Sequence, residues 1–136
     1  MKEWILPTLV TFLCWGLWSF VPKITMKYID PKSAIIYEVI GGIFLAFIVL
    51  YFLNFRPNLH PLGISLAITT GILGFIGALC FLAAVSKGPV TLIAPLSALY
   101  PIVSVVCAVI FLNETLSIKQ GIGIIFALIS IVLITI

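Results

Sequence analysis

GPVTLIAPLSALYP, residues 88–101, places prolines at 89, 95 and 101 in a stretch otherwise dominated by apolar residues. A proline inside a helix withholds one backbone donor and crowds the carbonyl four residues before it. Whether this stretch is a broken soluble helix or a kinked membrane span decides the fold, and composition settles the choice. The chain has 136 residues, 63% of them hydrophobic and 8% charged, with a mean hydropathy of +1.38. Soluble domains carry about 25% charged residues, so this chain cannot cover a water-facing surface, and lipid is its solvent.

Working outward from residues 88–101, charged and turn residues divide the chain into five apolar stretches, roughly 4–26, 31–53, 61–86, 89–112 and 118–136. About 20 residues cross a hydrocarbon core as a helix. Barrel strands would be shorter and would alternate with a period of two. The expected fold is an all-α integral membrane protein, a single domain over 1–136 with five transmembrane helices and no soluble domain.

The helix ends carry local signals. Asp30 is placed to cap helix two, with Pro31 in its first turn, and Pro61 to open helix three. Gly88 suits a left-handed stop for helix three. Pro89 then opens helix four, which predicts a tight hairpin between the two. Asn113 closes helix four, and Ser117 with Gln120 has capping-box spacing before helix five. The first stretch is too long for a secretory signal and lacks its small-residue cleavage pattern, so it reads as a retained helix. Cys14, Cys80 and Cys107 lie singly in three helices, without metal-ligand or disulfide spacing. The net charge of +3 is spread over the loops, which gives no basic stripe and no case for nucleic acid. His60, the one histidine, reads as a solvated loop residue. Without a Ser-His-Asp set, a phosphate loop or a metal cluster, neither an enzyme nor a cofactor is expected.

Five helices put Lys2, Arg56 and Lys119 on one side of the membrane. Lys23, Lys27, Lys32 and Lys87 fall on the other. Orientation follows the excess of Lys and Arg on the cytoplasmic side, and three against four decides little. Either one orientation wins through other details, or the chain inserts both ways and pairs antiparallel with itself. Many transporters are built from inverted repeats with the solute site at their interface. A five-helix unit reaches that arrangement by pairing with an inverted copy.

Trp4, Thr8, Thr11, Trp15, Ser19 and Pro22 share one sector of helix one, with Trp18 at its edge. Trp15 lies too deep for an interfacial belt. It reads either as a packing residue beside Gly16 or as a stacking wall for an aromatic or cationic solute. On helix four, Ser97, Tyr100, Pro101, Ser104 and Ala108 share a face. Pro95 and Pro101 free the carbonyls of Thr91 and Ser97. Lipid does not tolerate such groups unless hydroxyls or a watery cavity satisfy them. The kinks are therefore either repaired by Ser and Thr or serve as hinges of a cavity. Gly71, Gly74 and Gly77 with Ala78, and Gly123 with Ala127 and Ser130, have the spacing of close helix packing. Gly41 and Gly42 suit either packing within the chain or contact between copies. Glu38, two turns inside helix two, is expensive in lipid unless paired. It forms either an ion pair with Lys23 or a proton or cation site. Glu114 reads as structural, at the turn before helix five.

FLCWGLWSFVPKITMKYIDP (12–31) and ALYPIVSVVCAVIFLNETLSIKQGIGIIFALISIVLI (98–134) resemble the opening and close of an EamA-type repeat of the drug/metabolite transporter superfamily. The resemblance rests on the tryptophan-glycine of helix one, a lysine near its end, Pro101, Glu114, and Gly121 or Gly123. It implies a single repeat, half of an inverted-repeat transporter, with a cavity lined by helices one, three and four. The implied partners are the bilayer, a small metabolite that is amino-acid-like or another small organic solute, and a second copy. The implied place is the inner or plasma membrane, and the implied activity is export by alternating access. Many such repeats have an arginine early in helix two where this chain has Glu38. The chain also lacks the mid-helix-one acid of the four-helix multidrug exporters, so proton-coupled export of cationic drugs is not expected. The alternative is a non-transporting subunit of a larger assembly, such as a lipid-linked sugar flippase complex.

Overall fold

The structure, a computed structural model, describes residues 4–135. Lys2 and Ile136, which enter the expectations above, lie outside them. The described chain is helical throughout: α1 Ile5–Thr25, α2 Pro31–Phe52, α3 Pro61–Lys87, α4 Val90–Ser97, α5 Tyr100–Phe111 and α6 Ile118–Thr135. Four spans are long and apolar enough to cross a bilayer: α1, α2, α3 and the combined Val90–Phe111. The last helix is shorter. The chain divides into two compact units, residues 1–87 and 88–136.

Asp30 starts α2 as its sequence suggests. Its Oδ2 accepts the backbone N–H groups of Lys32 (3.0 Å) and Ser33 (3.2 Å), and its Oδ1 accepts the Ser33 hydroxyl. These are orphan donors of a helix N-terminus. The Ser33 hydroxyl first, then the Ser33 and Lys32 N–H groups, hold the Asp30 carboxyl below its ordinary value of 3.8. A depressed carboxyl contributes stability above its unfolded pKa and loses it as pH falls through the lower, folded value. Asp30→Asn therefore lowers the melting temperature at pH 7, and the gap to wild type closes below pH 3.8. A gap of constant size down the pH scale would show that the carboxylate charge plays no part.

Unit 1 is closed at one end. Ala34, Ala78, Phe81, Leu82 and Val85 are buried, Leu82 and Val85 completely. Pro22 of α1 is buried with them. All lie in the last turns of α1 and α3 or the first turn of α2. Lipid gives no hydrophobic drive to this contact, so dispersion and hydrogen bonds hold it. Lys23 Nζ donates to the Val85 carbonyl at 2.7 Å, one of the last four carbonyls of α3, which have no partner inside the helix. Interhelical hydrogen bonds in membranes average about 0.6 kcal/mol. Farther along, α2 approaches α3 where a Cβ on Gly42 would meet the Phe75 ring at 3.4 Å.

The turn between α2 and α3 uses no glycine. Asn54 and Phe55 take φ of 50° and 57°. Asn54 N–H returns to Tyr51 O and Phe55 N–H to Leu50 O, both at 3.0 Å, the hydrogen bonds of a Schellman cap. His60 then caps α3: its Nδ1 accepts the Gly63 N–H at 3.2 Å. The sequence signals assign neither role.

Unit 2 corrects two expectations. Gly88 is not a left-handed stop, since no described glycine has a positive φ. It precedes Pro89, and the residue before a proline is steered to extended conformations. Helix four, expected as one helix over 89–112, is interrupted between Ser97 and Tyr100. Leu99 N–H bonds Leu96 O at 3.2 Å, and Ile102 N–H bonds Leu99 O at 3.0 Å. These three-residue steps tighten the chain where Pro101 has no N–H to give the Ser97 carbonyl. Leu99 stays in the right-handed helical region at φ −73°, ψ −13°, and Ala98 departs from it only through its ψ of 1°. Asn113 ends α5 at φ 52°. The capping box of α6 is reciprocal: Ser117 N–H reaches Gln120 Oε1 at 2.9 Å, and Gln120 N–H reaches Ser117 Oγ at 3.3 Å.

Candidate functional site

The α1 stripe meets α3 at one end only. Trp18 packs on Phe81 with ring centroids 5.3 Å apart and planes 31° inclined. Ser19 is half-buried, and Pro22 and Lys23 complete the contact. One to two turns earlier on the same sector, Trp15 is 55% exposed and Thr11 is exposed. The α3 face that buries Ala78, Phe81 and Val85 continues, at helical spacing, through Gly74 and Gly71. A Cβ on Gly71, Gly74 or Gly77 would meet nothing within 4 Å. The small residues expected to pack thus stand free within unit 1. Their spacing leaves an open strip of α3 on the face that receives α1 farther along.

Trp18, expected to line a cavity, has one face on Phe81. Phe81 itself went unnoticed in the sequence; its signal is its place among Ala78, Leu82 and Val85 on a helical face. Lys23, which in one of two readings pairs with Glu38, donates to Val85 O. Glu38 is half-buried in α2. The three cysteines are exposed and free.

In unit 2 the expected helix-four face divides. Pro101 borders an apolar cleft against α6, together with Ala98, Ile102, Val105, Ile124 and Leu128. Ser97, Tyr100 and Ser104 lie on the neighbouring sector and remain exposed, Tyr100 by 51%. Ser97 Oγ donates to Ala94 O at 2.8 Å, so it does not satisfy the Thr91 carbonyl that Pro95 frees. Pro95 lies inside an unbroken α4, whereas the interruption falls beside Pro101. Glu114 N–H returns to Ala108 O at 3.3 Å, which ties its backbone to the end of α5. A Cβ on Gly123 would meet nothing within 4 Å.

Both units therefore carry polar and aromatic residues, Trp15 and Tyr100 among them, that are about half exposed on membrane-length helices. That arrangement defines a multi-pass membrane protein with polar faces inside its spans, the class to which solute carriers belong. The chain belongs to the EamA-like transporter family, whose model matches residues 2–136. An uncharacterized protein of Methanocaldococcus jannaschii is 30% identical over 136 residues, covering all of this chain and 98% of that protein. No solved structure matches the sequence. Family membership makes the chain a membrane transporter of small solutes.

Proposed function

We propose that the chain is a half-size transporter that works as an antiparallel homodimer by alternating access. It carries amino-acid-like or other small organic solutes outward across the inner (plasma) membrane. The observation that carries this reading is the exposed Ser97, Tyr100 and Ser104 sector beside the Pro101 interruption. This sector gathers two hydroxyls and a phenol at the interruption of a span, and polar groups inside a bilayer are best accommodated where they line a polar path.

In this reading α6 is the fifth span. Its 18 residues extend about 27 Å, close to the roughly 30 Å hydrocarbon core. A second copy inserted in the opposite orientation supplies the inverted half that other transporters carry as an internal repeat. Thr11, Trp15 and Trp18 of α1 and Ser97, Tyr100 and Ser104 of the α4–α5 span line the solute site. The bend at Pro101 is the principal hinge, and Pro95 a secondary one. Glu38 is the candidate site for a coupling ion or proton. The bond from Lys23 to Val85 O favours a structural part for Lys23.

Self-sufficiency tests this function. The purified chain, reconstituted alone in proteoliposomes, is expected to exchange labelled amino acids or related small solutes in a counterflow assay. An inert chain that co-purifies with a second membrane protein would replace this function with that of an accessory subunit.

A further inference from the structure

The charges of unit 1 collect at its closed end. The Lys23–Val85 bond joins the ends of α1 and α3, and α2 begins at the same end, with Ala34 in the contact. Lys27 and Lys32 flank the short connection between α1 and α2, and Lys87 ends α3; all three are exposed. The connection is held by its own backbone bonds, Lys27 N–H to Ile24 O and Tyr28 N–H to Thr25 O. Tyr28 stands 80% exposed among these lysines, a residue type enriched at the membrane–water boundary. Among the described residues of unit 1, Arg56 is the one lysine or arginine at the other end.

The acid at the lysine end, Asp30, offsets one of the four lysine charges there (Lys23, Lys27, Lys32 and Lys87). Both Asp30 oxygens accept hydrogen bonds from the first turn of α2. Glu38 lies about two turns inside α2. The ammonium groups of Lys27, Lys32 and Lys87 thus lie where membrane-length helices begin or end, the level at which a span leaves the hydrocarbon core, and they outnumber the carboxylate there. Lysines at a membrane surface attract anionic lipid, each contributing roughly fivefold to binding at low ionic strength.

We infer that this end of unit 1 is a docking surface for anionic lipid headgroups of the phosphatidylglycerol kind. Three ammonium groups on three helix ends surround a phosphodiester, and Tyr28 seats beside the glycerol region. The surface belongs to unit 1 alone and does not depend on the proposed pairing or on transport.

The test uses the full chain in phosphatidylcholine vesicles containing spin-labelled phosphatidylglycerol or spin-labelled phosphatidylcholine. The motionally restricted fraction of each label gives the preference at the protein surface. Wild type is expected to favour phosphatidylglycerol several-fold, and added salt is expected to reduce the preference. Lys27→Gln/Lys32→Gln/Lys87→Gln brings it near parity, Lys27→Arg/Lys32→Arg/Lys87→Arg keeps it, and Arg56→Gln leaves it unchanged. No preference in wild type overturns the inference, as does an equal preference in the glutamine triple variant or an equal loss in Arg56→Gln. Displacement of the label by millimolar inorganic phosphate at constant ionic strength would make this a soluble-phosphate site and would also overturn it. Should the glutamine triple variant fail to fold, the arginine variant and the salt titration of wild type decide.

Discussion

Tyr100→Ala abolishes solute uptake into proteoliposomes, and Trp15→Ala does the same, with both variants still assembling as wild type does. Assembly survives because each side chain is more than half exposed, so truncation opens no cavity in a packed seam. Uptake does not survive, because in the proposed site each ring supplies a face on which a solute stacks. A desolvated cation–aromatic contact is worth about 2 kcal/mol, or roughly thirtyfold in affinity, and loss at a site that must hold the solute in transit compounds it. Val105→Ala, on the sector that packs against α6, is the contrasting change: it weakens assembly before it touches uptake. Full transport by both Tyr100→Ala and Trp15→Ala would remove the site assignment.

The second large effect concerns orientation. Reporters active on only one side of the membrane, fused in turn after residue 136, are both expected to give signal. In the five-span arrangement three lysines or arginines fall on one side against four on the other, and the bias that orients membrane proteins is nearly cancelled. Near balance makes small changes decisive. Asn58→Lys/Leu59→Lys strengthens the α2–α3 connection and drives that side to the cytoplasm. Lys27→Gln/Lys32→Gln acts in the same direction by weakening the other side. Both variants then lose transport, because a population of one orientation cannot form an inverted pair, and mixing oppositely biased variants restores it. A wild-type signal from one reporter alone would end the homodimer proposal and require an inverted partner of different sequence.

The starts of α2 and α6 were legible because their determinants lie within three residues of one another. Asp30 with Ser33, like Ser117 with Gln120, acts through i to i+3 bonds, and Pro31 through its fixed φ in the first turn. The ends were less so. Phe55 at φ 57° is hidden because a bulky residue is a poor left-handed candidate. Gly88 misled because its neighbour Pro89 overrides its freedom. The α1–α3 seam was invisible for another reason. Lys23 and Val85 are 62 positions apart, and nothing local to either names the other. The polar stripes were readable as helix faces. Their division, with Pro101 toward α6 and Tyr100 exposed, depends on where the neighbouring helix packs.

Most hydroxyls of those stripes already hold an acceptor on their own helix. Thr8 Oγ1 donates to Trp4 O, Thr11 Oγ1 to Pro7 O, Ser19 Oγ to Gly16 O and Ser97 Oγ to Ala94 O. Each such group enters the bilayer with its proton already engaged, and a newly made copy needs no companion to lower its cost of insertion. Biogenesis can therefore run in two stages, with helices threading into lipid singly and meeting a mate by lateral diffusion afterwards. A chain that waits in the membrane in this way tolerates low expression and slow encounter. The working form of the proposed homodimer is then set by the surface density of copies in the bilayer, and dilution with added lipid becomes a means of switching it off.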